Sequence, residues 1–330
     1  MDKQQKNVVV IGGGTGTFTV LSGLKKYPEL SLTAVVTMAD SGGSTGRLRD
    51  EFGYLPISDV RMALVALADD ELSDHERLRQ LFLYRFEKGG RDLVGHNFGN
   101  LFLVALTDIL GSEIEAIQFA SRMLRTKGAV HPVTTDNVTL VATYDDGVVV
   151  HGETHIDEPK PGRDNHKITQ LRTEPQGSIT PDAATAVAQA DLIVIGPGDL
   201  YTSILAVCVV GGVREALMKT TAKIVYVSNL MTKYGQTSTM STEDHVVELA
   251  RYIGRRPDVV LANNTMLPET LLARYAEEGE YPVEVISGSG VLAQDLLASS
   301  EVVKSKSDNL RRSLIRHDPD KLARAIVELL

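Results

Sequence analysis

The residues best suited to chemistry near the amino terminus lie in two glycine-rich loops. The first consists of Gly12, Gly13, Gly14, Thr15 and Gly16 and follows the apolar run VVVI. Glycine lets a backbone approach a phosphate closely, and the start of a following helix favours negative charge. The spacing fits neither the dinucleotide fingerprint G-x-G-x-x-G nor a Walker A loop. We predict phosphate or nucleotide binding here, with a tight strand-to-helix turn as the alternative.

The second loop combines acid, hydroxyl, glycine and guanidinium groups. It begins at Asp40 and ends at Arg47, with Ser41, Gly42, Gly43 and Ser44 between them. An acid after a second strand suits a ribose hydroxyl. Amides and hydroxyls that donate, beside an arginine that can clamp two oxygens, suit a diphosphate. Asp40 could instead hold Mg²⁺ through phosphate oxygens, and a solvated turn is the remaining alternative.

Two further groups of polar residues precede apolar helical segments. Asp59 and Arg61 are candidate ligand-binding residues of the first segment; as the alternative, Asp59 is its N-cap, in which case Arg61 is a surface or interhelix charge. His96, Asn97 and Asn100 precede the second segment and could hydrogen-bond a base or a substrate hydroxyl. No histidine spacing typical of a metal site is present, so we assign no metal ligand.

A second cluster of loop residues lies in the carboxyl-terminal half. The strand-like run DLIVI precedes a Gly-Pro-Gly break with hydroxyls, and the run KIVYVS precedes an asparagine. The candidates are Gly196, Pro197, Gly198, Asp199, Tyr201, Ser203 and Asn229. Because ligands of open parallel sheets bind beyond the carboxyl ends of the strands, we expect these loops and the amino-terminal ones to form one crevice.

The elements that must position these loops follow a repeated strand–turn–helix order. This order predicts an α/β fold with a mainly parallel sheet, in which a helix at residues 17–27 joins strands at 7–11 and 32–38. Helical spacing also covers residues 78–86, and Asp318 is the expected N-cap of the last helix. Asp145-Asp146-Gly147 predicts a hairpin inside a β-rich insertion at roughly residues 130–181. We take residues 1–330 as a single domain.

Composition narrows the class of protein. The net charge of -9 without a long basic run argues against duplex nucleic-acid binding through a cationic face. The one cysteine, Cys208, excludes a disulfide framework and is expected to be a packing residue. The sequence shows no signal peptide and no apolar segment of about 20 residues, so we predict a cytoplasmic protein that does not insert in a membrane.

Five segments together resemble a known family. VVVIGGGTG, ADSGGSTGRLR, HNFGNLFLVAL, ADLIVIGPGDLYTSIL and SNLMTKYGQT are similar to the YvcK-type gluconeogenesis factors of bacteria, the UPF0052 proteins. These belong to a CofD-like superfamily that includes the 2-phospho-L-lactate transferases. The resemblance extends from about residue 7 to the last helix. It implies a three-layer, Rossmann-like α/β fold.

The resemblance also carries expectations about function. The transferases move a phospholactyl group from guanosine-diphosphate-activated lactate to the deazaflavin Fo with Mg²⁺. The YvcK branch is associated with UDP-sugar binding, such as UDP-N-acetylglucosamine, and with cell shape and wall synthesis during gluconeogenic growth, without an assigned catalytic activity. We therefore expect a nucleotide-sugar-binding regulator, with a Mg²⁺-dependent transferase and an NAD-binding oxidoreductase as alternatives. GDP or NAD could replace the UDP-sugar as ligand, and a homodimer is compatible with this reading.

Site residues carry over only where the motifs match. Asp40 matches the acid after the second strand, but Ser41 stands where this family usually has a second aspartate, which weakens a two-carboxylate Mg²⁺ site. The segment LPISDVR keeps Asp59 and Arg61. The segment RHDPDKLA matches the closing motif of the branch, from which Arg316 could reach the diphosphate of a ligand.

Overall fold

A computed structural model describes most of the chain. The described residues are 5–42, 45–48, 55–69, 73–163, 166–299 and 314–330. The candidate residues Gly43 and Ser44 lie outside these ranges. Within them no helix combines the length and the apolar character that a membrane span requires.

The centre of the fold is a seven-stranded parallel sheet. Its strands are β1 (Lys6–Gly12), β2 (Leu30–Val36), β3 (Ala129–Pro132), β7 (Leu192–Ile195), β8 (Lys223–Val227), β9 (Val259–Asn263) and β10 (Val291–Gln294). They lie in the order β10-β9-β8-β7-β1-β2-β3. Ile11 of β1 pairs with Val35 on one side and with Ile195 on the other. The strand order therefore reverses at β1, which is where ligands bind in such sheets.

Helices cover both faces of this sheet. They are α1 (Gly14–Leu24), α2 (Ser58–Leu67), α3 (Ser73–Leu83), α4 (Gly90–Leu93), α5 (Phe98–Leu110), α6 (Glu113–Leu124), α7 (Glu153–Asp157), α8 (Pro181–Gln189), α9 (Leu205–Cys208), α10 (Val213–Lys219), α11 (Thr242–Ile253), α12 (Glu269–Glu277) and α13 (Pro319–Val327). A π-helical turn, Leu200–Ile204, leads into α9.

Alternate side chains of β1 divide the core into two layers. Val8 and Val10 pack with α1, α2, α6 and α13, whereas Val9 and Ile11 pack with α8, α10 and α11. All four valine and isoleucine side chains are almost fully buried. Each such side chain contributes about 1.5–3 kcal/mol on burial, so the sheet is held from both faces and the three-layer prediction is confirmed.

A small antiparallel sheet forms the predicted β-rich insertion. It contains β4 (Thr139–Tyr144), β5 (Val149–His151) and β6 (Ile168–Glu174) in the order β5-β4-β6. The predicted hairpin turn is present, with the N–H of Gly147 donating to the Tyr144 carbonyl oxygen over 3.0 Å. Leu140 and Ala142 belong to the second core layer, so the insertion packs on the main sheet. Helix α7 follows β5 directly, and its first and last residues, Glu153 and Asp157, are both acidic and lie near the polar loops.

Two expected element boundaries were wrong by a few residues, and one of the expected helix caps was wrong. The first helix begins at Gly14 rather than residue 17, and the second strand ends at Val36 rather than residue 38. Asp59 does not cap its own helix, because α2 already begins at Ser58. The N-cap role of Asp318 is confirmed, since its side chain accepts from the N–H groups of residues 320 and 321. Cys208 is buried, as expected, and burial raises its pKa to about 12.

Candidate functional site

A crevice of about 290 Å³ lies at the carboxyl ends of β1, β7 and β8. The part of the lining that the sequence predicted is Gly13, Gly14, Thr15, Gly16, Pro197, Gly198, Asp199, Ser203, Asn229 and Arg316. The first glycine loop, the Gly-Pro-Gly loop, the loop after β8 and the carboxyl-terminal segment thus meet at one place. The expected convergence of the loops beyond the strand ends is present for these residues.

Two glycine loops touch each other at the base of the crevice. A Cβ atom on Gly16 would overlap the carbonyl oxygen of Pro197, so position 16 must lack a side chain. Asn229 donates from Nδ2 to the Gly198 carbonyl oxygen over 2.7 Å and ties in the loop after β8. Gly12 and Gly196 lie behind the crevice, where the N–H of Gly196 donates to the Ile11 carbonyl oxygen. Part of the glycine pattern therefore serves packing between loops rather than ligand approach.

One side of the crevice carries a buried lysine that the sequence did not single out. The Nζ atom of Lys233 lies 2.9 Å from Asp157 and 3.3 Å from Asp199, and only 7% of its side chain is exposed. Asp157 also accepts from the Thr202 hydroxyl over 3.2 Å. Burial raises the pKa of Asp199, and the charge of Lys233 partly opposes that effect. Lys233 lies within the segment SNLMTKYGQT, but nothing in its spacing distinguished it there.

The carboxyl-terminal segment adds Arg316 and His317 to the same wall. The N–H of Ala298 donates to the Arg316 carbonyl oxygen over 3.0 Å, and the N–H of Asp318 donates to the Leu296 carbonyl oxygen over 2.8 Å. These bonds fix the backbone on both sides of His317. The sequence predicted Arg316 from the motif RHDPDKLA but missed His317, which is its neighbour there.

A second polar cluster lies behind the first glycine loop, against α2 and α7. Asp59 accepts at Oδ1 from the N–H of Gly14 over 2.8 Å, so it caps α1 instead of α2. Its other oxygen, Oδ2, lies 2.6 Å from the place that a Cβ of Gly13 would occupy. Asp40 accepts from the N–H of Gly42 over 2.8 Å and from the Ser58 hydroxyl. Asp40 and Asp59 therefore lie next to the loop but do not line the crevice described above.

This acidic cluster has a third member, Glu153, which the sequence did not predict. Burial raises the pKa of Asp59 to about 7, with a smaller contribution from the charge of Asp40. Burial likewise raises the pKa of Glu153 to about 9, and Asp40, Asp157 and Asp59 add to the effect. These three carboxyl groups are half-buried and offer only oxygen donors, the ligand type that Mg²⁺ prefers. Among the described residues, the group whose ligand atoms converge within 4.8 Å is a different one, Asp145, Asp146 and His166.

Ser41 connects this cluster to the insertion. Its Oγ accepts from the N–H of Thr154 over 3.1 Å, and the hydroxyl oxygens of Ser41 and Thr154 are 3.2 Å apart. Thr154 also donates to the neighbouring Glu153 carboxylate over 3.3 Å. The position where the resembling family usually has an aspartate thus docks α7 and holds Glu153 beside Asp40.

Several other predicted residues are engaged within the protein. Arg61 is buried rather than a surface charge, donating to the Asn100 side chain over 2.8 Å and to the Phe82 carbonyl oxygen over 3.3 Å. Burial lowers its pKa to about 10. Asn97 caps α5 by accepting from the N–H of Asn100, and His96 is buried beside it. These residues anchor α5 against α2 and do not line the crevice.

Arg47 and Tyr201 also point away from the crevice. The Arg47 guanidinium donates to the Val94 carbonyl oxygen over 3.1 Å. The Tyr201 hydroxyl donates to Glu248 over 3.2 Å, on the side of α11. In this structure the Arg47 side chain lies at the loop before α5 and does not line the crevice, so the diphosphate clamp stays a prediction. The cations that do line the crevice are Lys233 and Arg316.

Comparisons with known proteins agree with this architecture. A family model described as "2-phospho-L-lactate transferase CofD" matches residues 8–296. A Thermotoga maritima protein named "Putative gluconeogenesis factor" is 43% identical over 97% of this chain and 98% of its own length. The "Gluconeogenesis factor" of Bacillus subtilis is 38% identical over 99% of both chains. A crystal structure of a UPF0052 family member from Bacillus halodurans superposes with a TM-score of 0.87 at 36% identity, covering 98% of this chain and 99% of that one.

Proposed function

We propose, from the premise that the chain belongs to the CofD family, that it is a cytoplasmic UDP-sugar-binding regulator. In this role it is needed for cell shape and wall synthesis during growth on gluconeogenic carbon sources. Relatives that match nearly the full chain are named gluconeogenesis factors. The proposal treats the crevice as the place where the nucleotide sugar binds.

The observation that carries this proposal is the pairing of glycine loops with two cations in one crevice. The amino terminus of α1 opens onto it at Thr15 and Gly16, next to the Gly14 N–H that Asp59 accepts, and a helix start favours anions. Arg316 lines the same space and carries positive charge, and Lys233 lines it with its charge engaged by Asp157 and Asp199. Amides and cations that face one cavity are the donors that a diphosphate requires.

The titratable groups of the crevice favour binding over turnover. Asp157 and Asp199 are both paired with Lys233. Burial lowers the pKa of His317 to about 4, so its ring is neutral near pH 7. An efficient general base has a pKa close to the working pH. The shifted histidine does not meet that requirement, and the two carboxylates are engaged by Lys233.

Calorimetric titration tests this proposal. The purified protein is titrated with UDP-N-acetylglucosamine, UDP-glucose, GDP and NAD, with and without Mg²⁺. We expect a UDP-sugar to bind without Mg²⁺ and without turnover. Arg316→Ala should weaken binding by about 1.5–3 kcal/mol, the scale of a hydrogen bond to a charged group. Arg274→Ala, on the exposed surface of α12, is the matched control. If no UDP-sugar binds to the wild-type protein, the proposal fails.

The acidic cluster favours a second candidate function, a Mg²⁺-dependent transferase. Asp40, Asp59 and Glu153 would hold the ion, which would neutralise phosphate charge in the transfer of a phospholactyl-type group from a nucleotide-diphosphate-activated acid. The experiment is to incubate the protein with a guanosine-diphosphate-activated 2-hydroxy acid and measure Mg²⁺-dependent release of GMP. Release that Asp59→Asn abolishes would favour the transferase over the regulator. Preferred binding of NAD in the titration would instead favour an oxidoreductase.

We also propose that the protein is a homodimer. Light scattering after size-exclusion chromatography measures its mass against the 35.8 kDa of one chain. A mass equal to one chain across the micromolar range would contradict the dimer.

A further inference from the structure

His317 belongs to the crevice wall and has a buried ring nitrogen without a partner among the described residues. The residue lines the crevice and is 7% exposed. One ring nitrogen bonds to the backbone of Ser228, at the end of β8. The other, Nε2, has no hydrogen-bond partner among the described residues, although it is shielded from solvent. A buried polar atom without a partner is rare in proteins and calls for an explanation.

The contacts of the ring define which tautomer is present. Because Nε2 has no partner, the bond to the Ser228 backbone involves Nδ1, and a carbonyl oxygen can only accept. Nδ1 therefore carries the hydrogen. Burial lowers the pKa of His317 to about 4, so near neutral pH only one of the two ring nitrogens carries a hydrogen. Nε2 is left with a lone pair and acts only as an acceptor.

An acceptor at this position discriminates among the parts of a ligand. Phosphate oxygens repel a nitrogen lone pair, whereas N–H and O–H groups donate to it. Arg316, the next residue, only donates and attracts phosphate oxygens. Arg316 thus prefers acceptors such as phosphate oxygens, whereas the adjacent His317 prefers N–H and O–H donors. The segment cannot slide, because the backbone bonds at residues 316 and 318 hold it against residues 296 and 298.

We propose that His317 is a specificity-determining residue that accepts a hydrogen bond from an N–H or O–H group of the ligand's base or sugar. This inference rests on the proposed nucleotide-sugar site and assigns a role within it. His317 holds the uncharged part of the ligand, while Arg316 holds its phosphates. Ligands without a donor at that position leave Nε2 buried and unpaired, which costs affinity.

Binding of a ligand panel to position-317 variants tests the contact. His317→Phe keeps a planar ring but removes the acceptor, and His317→Gln restores an acceptor oxygen. We expect His317→Phe to weaken UDP-N-acetylglucosamine binding about tenfold and His317→Gln to recover part of the loss. His131→Phe, on β3 and outside the crevice, is the matched control and should bind like the wild type. Unchanged affinity in His317→Phe would overturn the proposal.

The same panel identifies the donor. The ligands are UDP, UDP-glucose, UDP-N-acetylglucosamine and the N3-methyluracil form of UDP. If the uracil N3–H is the donor, N-methylation weakens binding to the wild type but not to His317→Phe. If a sugar hydroxyl or the acetamido N–H is the donor, the two proteins bind UDP alike and differ only with the nucleotide sugars. If the wild type and His317→Phe show the same relative affinities for every ligand of the panel, His317 does not contact the ligand.

A measurement of the wild-type protein separates this inference from the proposed function. Long-range ¹H–¹⁵N correlation of the histidine rings reports the tautomer of His317, assigned by the signal that His317→Gln removes. We expect an Nδ1–H tautomer whose Nε2 resonance shifts when UDP-N-acetylglucosamine is added. An Nε2–H tautomer would overturn the inference even if the ligand binds. Failure of the wild type to bind any of the nucleotides would refute the proposed function and the ligand contact, whatever the tautomer.

Discussion

The two ends of α7 place carboxyl groups in opposite electrostatic surroundings. At one end, Asp157 lies 2.9 Å from the ammonium group of Lys233 and accepts from the Thr202 hydroxyl. At the other end, the charges that act on Glu153 are those of Asp40, Asp157 and Asp59, which are all carboxylates. One helix of five residues therefore contributes an ion pair to the crevice, and to the cluster behind it an acid that receives hydrogen bonds from Ser41 and Thr154 rather than a cation.

This difference separates a preformed binding wall from a site that needs a further positive charge. A buried carboxylate is costly unless a cation or several donors compensate it. Lys233 compensates Asp157 and Asp199 within the protein itself. Among the described residues, Glu153 and Asp59 have no ion pair of that kind, and burial raises their pKa values to about 9 and about 7, so both hold protons at higher pH than an ordinary carboxyl group. The crevice is thus suited to bind an intact ligand, and the acidic cluster is suited to take up a proton or a metal ion.

The largest expected effect comes from removing the compensating cation. Lys233→Ala leaves Asp157 and Asp199 without their partner and should lower the free energy of unfolding by about 3 kcal/mol, as for other broken buried ion pairs. Chemical denaturation at pH 7 measures it. Adding Asp157→Asn should recover part of the loss, because it removes an uncompensated charge. Lys219→Ala, an exposed lysine of α10, is the control. Equal stability of the Lys233 and Lys219 variants would show that the ion pair contributes nothing.

A smaller effect with a defined pH dependence is expected at the acidic end. A carboxyl group whose folded pKa is raised adds stability at low pH and loses it as pH rises. For Glu153 the loss extends from its ordinary value of 4.5 to about 9. Glu153→Gln should therefore flatten the decline between pH 5 and 9, with a gain at pH 9 on the order of 1–2 kcal/mol, since water reaches part of the side chain.

Unfolding measured at pH 5, 7 and 9 checks the sign of this prediction. Glu277→Gln, on the exposed surface of α12, should keep the wild-type slope. Mg²⁺ should stabilise the wild type more at pH 9 than at pH 5, because it competes with protons for the same oxygens, and Glu153→Gln should reduce that gain. A Glu153→Gln slope equal to that of the wild type would mean that Glu153 is not buried among like charges.

The smallest expected effect concerns the Ser41 hydroxyl, which joins the acidic cluster to α7. Ser41→Ala removes the acceptor for the Thr154 N–H and should cost about 1 kcal/mol. Ser41→Asp should cost more at pH 8, because it adds a carboxyl group next to Glu153, and Mg²⁺ should recover that difference. Ser178→Ala, with an exposed side chain, is the control. If Ser41→Asp is as stable as the wild type without Mg²⁺, the cluster is less crowded with negative charge than the structure indicates.

The residues that sequence reasoning found share a simple signal. Glycines and short polar residues directly after apolar strands mark loops, and parallel strands place such loops at one edge of the sheet. That was enough to predict Gly16 and Ser203 at the crevice, whereas Arg316 was predicted from the family motif RHDPDKLA. Asp59 was misassigned because an acid before an apolar helix is the usual sign of a local cap. Its actual partner is the N–H of Gly14, which is 45 residues away.

The residues that sequence reasoning missed have no local pattern. In the sequence, nothing about the neighbouring residue types or the spacing distinguishes Lys233, Glu153 or His317 from other polar residues. Their importance comes from burial beside groups of particular charge or hydrogen-bonding character. Neither burial nor the partner can be inferred from spacing, because the partners belong to other elements.

The sequence by itself determined the α/β class and the loops that meet beyond the strands, because apolar periodicity and glycine preferences act over a few residues. It also indicated the family through five motifs. Only the tertiary structure decided which carboxyl groups are compensated and which are not. Electrostatic balance depends on contacts such as Ser41 with Thr154, 113 residues apart, and Asp199 with Lys233, 34 residues apart. Such contacts exist only after the insertion has packed on the sheet.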